Sequence, residues 1–416
     1  MQLLIQDINH QGEGVARYHG KVIFIPFALP GEEVEAEIIK DRKKYAYAVL
    51  KRIINVSPDR IAPKCPYYFQ CGGCSYQHVK YLVQVSYKKS TVKQNINRIG
   101  KIDVPVNNVI KMKNPWHYRN KVIWHLEKTA QGIKMGYYRK SSHQVINIQN
   151  CPLLKRKIIK ISQCIRNLSQ YIYFNKNASI LVRQFSQNNC IMIHFRNCFV
   201  AKEAVKQLSR ISNSIYITRD QRTELIHGTH VLTEKTDHLV YHMGPHDFFQ
   251  INPQQTVVLL QCILSYFGHG QDEDILDAYS GVGVFSLNIA KQVNTVTGIE
   301  INAFAVKNAR VNARLNGIEN CTFLTGACEK VLPQLHQKYD RVIIDPPRSG
   351  LKKEVITAID LAGSRTVVYV SCNPATLARD LAIFSSLGYQ IEEVQPIDMF
   401  PQTRHIEVVT LLSKTK

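Results

Sequence analysis

The stretch that decides the fold is "DEDILDAYSGVGVFSLNIAKQ", residues 272–292. An apolar run ends at Asp277, glycines follow at positions 281 and 283, and residues with helical spacing begin directly after them. From about this point to the end of the chain, strand and helix patterns alternate regularly. Such alternation predicts a doubly wound α/β domain built on a parallel sheet.

The glycine loop and the end of the next strand together indicate a nucleotide-like ligand. Bare backbone at Gly281 and Gly283 lets a ligand approach the amino end of a helix. The following apolar run, "NTVTGIE", ends at Glu300, whose carboxylate can bind both hydroxyls of a ribose. Because Phe285 and Ser286 follow without a third glycine, the pattern favours S-adenosylmethionine over NAD. A tight turn followed by a surface acid is the alternative.

Two further strand ends bring chemistry to the same edge of the predicted sheet. "YDRVIIDPPRSG", residues 339–350, ends a fourth strand at Asp345, and "RTVVYVSCNPATLARD", residues 365–380, ends a fifth at Cys372. A cysteine at this edge can act as a nucleophile when ionised, although a buried structural cysteine is the simpler interpretation. Arg348 stands where enzymes that methylate exocyclic amines often carry an aromatic residue, which argues against an amine acceptor.

An acceptor that needs a nucleophile is a poorly reactive carbon, such as C5 of uracil. A thiolate that adds to C6 makes C5 reactive, and a base must later remove the C5 proton. "PQTRHIEVVTLL", residues 401–412, offers His405 and Glu407 at the start of a last strand. They are two residues apart and so share a face, which leaves either as a candidate base.

The overall charge points to a nucleic-acid partner. Lys and Arg number 53 against 32 Asp and Glu, a formal charge of +21, which is typical of proteins that bind a polyanion. A basic enzyme with no such partner is the alternative. We expect no membrane span, because no apolar run approaches 18 residues, and the start lacks a secretory leader. The expected location is the cytoplasm, where the eleven cysteines would stay reduced.

The first part of the chain has the features of an RNA-binding module. Residues 1–57 are predicted to form a small β domain, in which "KDRKKYAYA", residues 40–48, places tyrosines after a basic run. This combination suits an RNA backbone and stacked bases, as in small barrels of the OB type, or else it is a solvated hairpin. Residues 79–99 predict a basic amphipathic helix, and residues 116–245 are strand-rich.

Four cysteines have the spacing of a metal site. "CPYYFQCGGC" contains Cys65, Cys71 and Cys74, and Cys151 follows much later, directly before a proline. Zinc sites usually pair two C-x2-C units, and this pattern has one. The spacing therefore favours a [4Fe-4S] cluster, with zinc and unligated cysteines as alternatives. The C-x3-C-x2-C spacing of radical S-adenosylmethionine enzymes does not occur.

These motifs together resemble one family. "DAYSGVG", "HDFFQINPQQ", "IIDPPRSG", "VSCNPATLARD" and "TRHIEVV" closely resemble the RNA uracil-5-methyltransferases. "GEGVAR" and "FIPFALPGEEVEAEI" resemble the TRAM domain of its ribosomal RNA members, and the four cysteines are similar to the iron–sulfur site of those members. The resemblance extends over essentially the whole chain.

The resemblance implies a division into three parts. We expect a TRAM barrel of OB-like type over residues 1–57 and a central α+β domain with the iron–sulfur site over residues 58–247. A Rossmann-like class I methyltransferase domain would cover residues 248–416. Residues 77–108 would fold back onto this last domain.

The resemblance also implies roles for individual residues. Cys372 would be the nucleophile and Glu407 the base, which favours Glu407 over His405. Phe248 and Asp345 would lie beside a uridine flipped out of its stack. The residues expected to hold S-adenosylmethionine are Gln250, Tyr279, Gly281, Glu300 and Asp345.

The substrate follows from the accessory modules. Family members with both barrel and cluster mostly act on 23S ribosomal RNA, whereas the bacterial transfer RNA enzyme lacks both. We therefore expect 23S ribosomal RNA as the substrate and a monomer with no obligate protein partner. The alternatives are the same chemistry on transfer RNA and a non-catalytic RNA-binding or assembly protein.

Overall fold

The structure is a computed structural model, and it describes residues 1–130, 132–236, 238–267 and 270–415. Within these ranges the chain forms a six-stranded sheet, a seven-stranded sheet, a two-stranded ribbon and a second seven-stranded sheet. No helix in the described ranges is both long and apolar enough to cross a membrane.

The amino-terminal sheet curls into a small barrel. Its strand order is β1-β5-β6-β4-β3-β2, and Gln6 N, just after β1, donates to Val15 O on β3. Small inward residues such as Ala36, Ala46 and Ala48 fill the interior, together with branched apolar side chains. The strands are β1 (Gln2–Leu4), β2 (Asp7–Ile8), β3 (Glu13–Tyr18), β4 (Lys21–Pro26), β5 (Glu33–Asp41) and β6 (Tyr45–Asn55).

The central part is a mixed sheet between two apolar layers. The sheet order is β13-β12-β11-β10-β7-β8-β9, with β11 and β12 parallel. One face packs on helices α2 and α3, while Leu181, Met192 and Tyr216 join the core of the carboxyl-terminal domain. The elements are α1 (Tyr81–Asn95), β7 (Lys121–Thr129), β8 (Gly132–Tyr138), β9 (Val145–Asn147), α2 (Arg156–Asn167), β10 (Ile172–Gln184), β11 (Ile191–Val200), α3 (Lys202–Leu208), β12 (Ser214–Arg219), β13 (Arg222–Gly228), β14 (Leu232–Thr236) and β15 (Leu239–Met243).

The carboxyl-terminal part confirms the predicted doubly wound α/β domain. Its sheet order is β18-β17-β16-β19-β20-β22-β21, with the first five strands parallel and the last two antiparallel. The strand order reverses at β16, because β17 and β18 follow on one side of it and β19 and β20 on the other; such sheets bind ligands at this place. The elements are α4 (Pro253–Phe267), β16 (Gly270–Ala278), α5 (Val284–Ile289), β17 (Val293–Glu300), α6 (Ala303–Leu315), β18 (Cys321–Thr325), α7 (Cys328–Val331), β19 (Arg341–Ile344), α8 (Lys353–Leu361), β20 (Thr366–Ser371), α9 (Pro374–Ser386), β21 (Gln390–Ile397) and β22 (Glu407–Ser413).

Helix α1 forms where the sequence predicts a helix, but its buried face is not apolar. The buried positions are Gln84, Lys88 and Val92. Lys88 Nζ lies 2.5 Å from Asp398 Oδ1, and Gln84 Nε2 donates to Gln402 Oε1 at 3.0 Å. The helix therefore packs on the loop before β22 through polar contacts, which explains why apolar spacing describes it poorly.

The buried ion pair of Lys88 gives a stability prediction. Both side chains are almost fully buried, so Lys88→Ala leaves Asp398 as an unpaired buried charge. We expect the free energy of unfolding to fall by about 3–5 kcal/mol, measured by urea denaturation. The matched control is Lys93→Ala, an exposed lysine on the same helix, expected to change it by about 0.5 kcal/mol or less. Equal effects of the two substitutions would contradict this.

Candidate active site

The glycine loop after β16 has the backbone of a ligand-binding turn. Tyr279, Gly281 and Gly283 all have positive φ, of 73°, 56° and 86°, and a non-glycine residue in this region is strained. Gly281 N donates to Glu300 Oε2 at 3.1 Å, and Asn302 N donates to Glu300 Oε1 at 2.7 Å. The loop therefore positions the Glu300 carboxylate beside the bare backbone of the turn.

Two buried polar atoms at this loop have no protein partner. Asp277 Oδ2 accepts from Ser286 N at 3.0 Å and so holds the first turn of α5, but Asp277 Oδ1 and Ser280 Oγ are unpaired. Burial raises the pKa of Asp277 to about 7. Since buried polar groups are normally hydrogen-bonded, this loop fits a polar ligand such as S-adenosylmethionine.

Cys372 follows β20 directly and lies beside an arginine. Burial raises the pKa of its thiol to about 11, and the nearby carboxylate of Glu407 raises it further. The guanidinium of Arg348 lowers this pKa, first through its positive charge and then through hydrogen bonding to the thiol. Asn373 fixes this arrangement because its Nδ2 donates to Arg348 O at 2.9 Å, while its Oδ1 accepts from Ala375 N and begins α9.

Two carboxylates stand beside the thiol. Glu407, the first residue of β22, is 2% exposed, and burial together with the repulsion of Asp345 raises its pKa well above the usual range. Burial likewise raises the pKa of Asp345 to about 7, with Asp277 adding to the shift. This edge therefore carries a thiol, a cation and carboxyl groups that gain protons easily.

His405 lies near the same cluster but differs electrostatically. Burial lowers the pKa of its imidazole to about 3, and Arg348 and Arg404 lower it further. The ring is therefore neutral at pH 7 and holds a proton weakly.

The segment with Phe248 and Gln250 is held at one end by helix α6 and at the other by the loop before β22. Asn308 on α6 donates to Asp247 Oδ2 at 2.5 Å, and Asn252 Nδ2 donates to Met399 O at 2.9 Å. Gln250 is half-buried, whereas Phe248 is 68% exposed, so protein covers little of its ring. A flat group is therefore free to pack against Phe248.

The loop that leads to Glu407 is held by distant parts of the chain. Gln402 O accepts from Ser75 N and Tyr76 N, both at 3.0 Å. Arg404 contacts Gln11 of the barrel through a short hydrogen bond. The segment before the buried carboxylate thus contacts the cysteine-rich segment and the barrel at once.

The four cysteines predicted as ligands line one small cavity, together with Arg119. Gln77 Nε2 donates to Cys74 Sγ at 3.2 Å, and Gly73 N donates to Cys71 Sγ at 3.4 Å. Burial raises the pKa of Cys71 to about 11 and that of Cys74 to about 12. Since ionised thiols cost free energy in such a place, thiolates here need a cationic group bound between them.

The arrangement of these thiols bears on the kind of metal. In the described part of the chain, no group of three or more His, Cys, Asp or Glu side chains is arranged to hold a metal ion. A [4Fe-4S] cluster binds each thiolate through a different iron, so its ligands stand further apart. Four thiols around one cavity, with N–H groups directed at two sulfurs, fit that donor set.

Two residues of these sites escaped the sequence analysis. In the sequence, Arg348 was noted only because it replaces the aromatic residue found in enzymes that methylate amines. No pattern around Arg119 indicated a role for it. The Asn-Pro pair after Cys372 was the available clue for Arg348, because an amide at a helix start can also bind a neighbouring loop.

A comparison with known families assigns the chain. Residues 80–415 match the family model described as tRNA (Uracil-5-)-methyltransferase. The chain belongs to this family. A TRAM domain matches residues 1–51, which agrees with the curled amino-terminal sheet. The protein is therefore an S-adenosylmethionine-dependent RNA methyltransferase of the uracil-5 family.

Similar proteins cover the chain from end to end. A relative from Clostridium acetobutylicum, described as an uncharacterized RNA methyltransferase, is 36% identical and covers 99% of this chain and 96% of its own. A relative from Listeria innocua with the same description is 35% identical, with coverage of 99% and 97%. The crystal structure of Pyrococcus abyssi tRNA (uracil-54, C5)-methyltransferase, in complex with S-adenosyl-L-homocysteine, is 27% identical. It superposes with a TM-score of 0.80 over 99% of both chains.

Proposed function

We propose that this protein transfers a methyl group from S-adenosylmethionine to C5 of a uridine in 23S ribosomal RNA. The observation that carries the proposal is the cluster of Cys372, Arg348 and Glu407 at the carboxyl edge of the sheet. A nucleophile and a buried carboxyl group at one place suit a reaction that begins with addition to a carbon and ends with proton removal.

In this proposal Cys372 acts first and last. Its thiolate forms a bond to C6 of the uracil, and the electron pair of the C5–C6 double bond becomes available at C5. S-adenosylmethionine, when bound, would supply an electrophilic methyl group: C5 forms a bond to the methyl carbon with this electron pair, the sulfur–methyl bond breaks, and S-adenosylhomocysteine is the leaving group. Glu407 then takes the C5 proton, the double bond re-forms, and the bond between Cys372 and C6 breaks to release the thiolate.

Glu407 suits the role of base better than His405. The pKa of Glu407 is raised by burial, so its carboxylate accepts a proton readily. The pKa of His405 is lowered to about 3, so its imidazole is a weak base. Arg348 would stabilise the thiolate as it forms.

The glycine loop and its neighbours would hold S-adenosylmethionine. We assign this role to the residues expected from the sequence, Gln250, Tyr279, Gly281, Glu300 and Asp345. Glu300 would accept hydrogen bonds from ribose hydroxyls. Phe248, with its exposed ring, would pack on the flipped uracil, and Asp345 would lie at the edge of that base.

The state of Cys372 predicts the pH dependence of the chemical step. Because burial raises its pKa to about 11, the thiolate fraction grows about tenfold per pH unit throughout the neutral range. We expect the single-turnover rate of methylation to rise about tenfold per unit between pH 6 and 8, at constant ionic strength. A plateau reached below pH 8 would contradict this.

The choice of 23S ribosomal RNA rests on the TRAM domain and the four clustered cysteines. Transfer RNA is the second candidate, and the neighbouring Pyrococcus abyssi structure favours it because that enzyme is described as acting on tRNA. Both candidates share the same chemistry.

Mass mapping of 5-methyluridine decides between them. The modification would be mapped in 23S ribosomal RNA and transfer RNA from cells with and without the gene. Loss of 5-methyluridine at one or two 23S positions would support the proposal. Loss of 5-methyluridine from transfer RNA alone would make transfer RNA the substrate. If neither RNA changes and the purified protein forms no S-adenosylhomocysteine with either, the proposed function is wrong.

We also propose that Cys65, Cys71, Cys74 and Cys151 hold a [4Fe-4S] cluster. Their support is the shared cavity and the N–H groups directed at two of the sulfurs. With four protein ligands no iron is left open, so the cluster would hold the segment in place and take no part in methyl transfer.

Iron content tests the cluster. Protein purified without oxygen is expected to contain about four irons and about four acid-labile sulfides per chain, and Cys71→Ser to lose most of both. The matched control is Cys164→Ser, a half-buried cysteine on α2, which should keep the full content. Stoichiometric zinc without sulfide would overturn the assignment.

A further inference from the structure

The central sheet carries a cavity that the proposed chemistry does not use. It opens where β10 begins, β11 ends and the β12–β13 hairpin turns, and its volume is about 440 Å³. Pockets of this size take small organic groups. Its lining includes three aromatic residues, one of them Phe174, together with a cation and several polar side chains. The lining residues that bear on its ligand are Tyr173, Asn175, Asn197, Phe199, Arg219 and Asp220.

Two of the aromatic rings of this cavity are unusually uncovered. Tyr173 is 59% exposed and Phe199 is 53% exposed. The two residues are direct partners across the β10–β11 ladder, and their ring centroids lie 6.2 Å apart. Large apolar rings placed side by side in solvent are a common feature of surfaces that bind a partner.

The polar groups around the rings suit a nucleobase. The guanidinium carbon of Arg219 lies 5.9 Å from the ring centroid of Phe199. The amides of Asn175 and Asn197 offer both donors and acceptors, and the carboxylate of Asp220 accepts hydrogen bonds. Proteins bind unpaired RNA bases with this combination of aromatic faces, arginine and polar edges.

The backbone is shaped to expose these side chains. The ladder between β10 and β11 is irregular between Phe174 and Ser179, and Asn177, Asn197 and Asp220 have positive φ. Such irregularities redirect side chains and are common beside functional sites.

The β12–β13 hairpin that borders the cavity also contacts the segment proposed to hold the target uridine. Arg219 ends β12, and the neighbouring Thr218 Oγ1 lies 2.7 Å from Thr223 Oγ1. Thr223 Oγ1 in turn lies 2.7 Å from His246 Nε2, two residues before Phe248. An RNA strand bound at Phe248 therefore has the hairpin within reach.

We propose that this cavity binds an unpaired base of the substrate RNA, separate from the methylated uridine, by stacking on Tyr173 and Phe199. The inference rests on the proposed RNA substrate but not on methyl transfer. The formal net charge of +21 attracts a polyanion, so a nucleic acid is favoured over a protein as the ligand of this cavity.

Binding of a short fluorescein-labelled single-stranded oligouridine tests the inference directly. By fluorescence anisotropy, Phe199→Ala and Phe199→Leu are each expected to raise Kd about 5- to 100-fold, because both remove the stacking face. Phe199→Tyr should stay within about twofold of the unchanged protein, since it keeps the ring. Leu361→Ala on α8, at an apolar side chain that is 79% exposed, is the matched control and should leave Kd unchanged.

The comparison of leucine with tyrosine separates stacking from a structural role. Leucine preserves apolar bulk, so a packing role would tolerate it, and thermal unfolding would show whether either variant is destabilised. If Phe199→Leu binds RNA as the unchanged protein does, the inference is overturned. If binding weakens as expected while the protein methylates no RNA, the cavity assignment stands and the proposed methyl transfer fails.

Discussion

Cys372→Ala should lower the rate of uridine methylation by at least about 10⁴-fold, because the variant has no nucleophile to activate C5. The loss should appear in the single-turnover rate constant at saturating enzyme, with RNA affinity nearly unchanged. The variant should also fail to form a covalent complex with RNA that carries 5-fluorouridine, since fluorine at C5 traps the adduct only after a thiolate has added to C6. Denaturing gel electrophoresis measures this complex.

The matched control for this prediction is Cys262→Ala. Cys262 is a half-buried cysteine on α4 in the same domain, and its loss should leave adduct formation in place. Cys372→Ala protein that methylates at a rate near that of the unchanged enzyme would exclude the covalent mechanism.

Glu407→Gln should stop the reaction at a different step. Glutamine keeps the shape of the side chain but cannot take the C5 proton, so turnover should fall by about 10²- to 10⁴-fold. Because Cys372 can still add to C6 but cannot be eliminated, the methylated RNA should accumulate as a covalent complex with the protein. Mass spectrometry of the trapped complex after nuclease digestion measures it.

His405→Asn is the control that separates the two candidate bases. We expect this variant to turn over and to leave little RNA attached to the protein. The reverse pattern, with trapped RNA in His405→Asn and normal release in Glu407→Gln, would assign the base to His405.

The edge of the sheet where the site forms could be predicted from the sequence. Parallel strands of a doubly wound domain end at one edge, and the apolar runs that end at Asp277, Glu300 and Asp345 could be recognised one by one. A small β domain at residues 1–57 could be predicted as well, from alternating strands broken by Gly and Pro, and the resemblance to the TRAM domain supplied its barrel form.

The contacts made around that edge could not be predicted. Arg348 reaches Cys372 because Asn373 binds its carbonyl group, a contact between two loops that no periodicity encodes. The polar face of α1 has its partner Asp398 310 residues later in the chain. A local apolar pattern therefore describes the helix as amphipathic and misses what it packs against.

The loop before Glu407 has a consequence for how the enzyme is assembled. Its anchors at Gln11, Ser75, Tyr76 and Gln84 all precede the loop by a long stretch of chain, so they leave the ribosome well before it. Residues 248–416 are thus not expected to work as an independent domain, since alone they would lack the contacts that position the loop before the Glu407 carboxylate. The active site can therefore close only after the ribosome has passed Glu407, and we expect products truncated before that residue to be inactive.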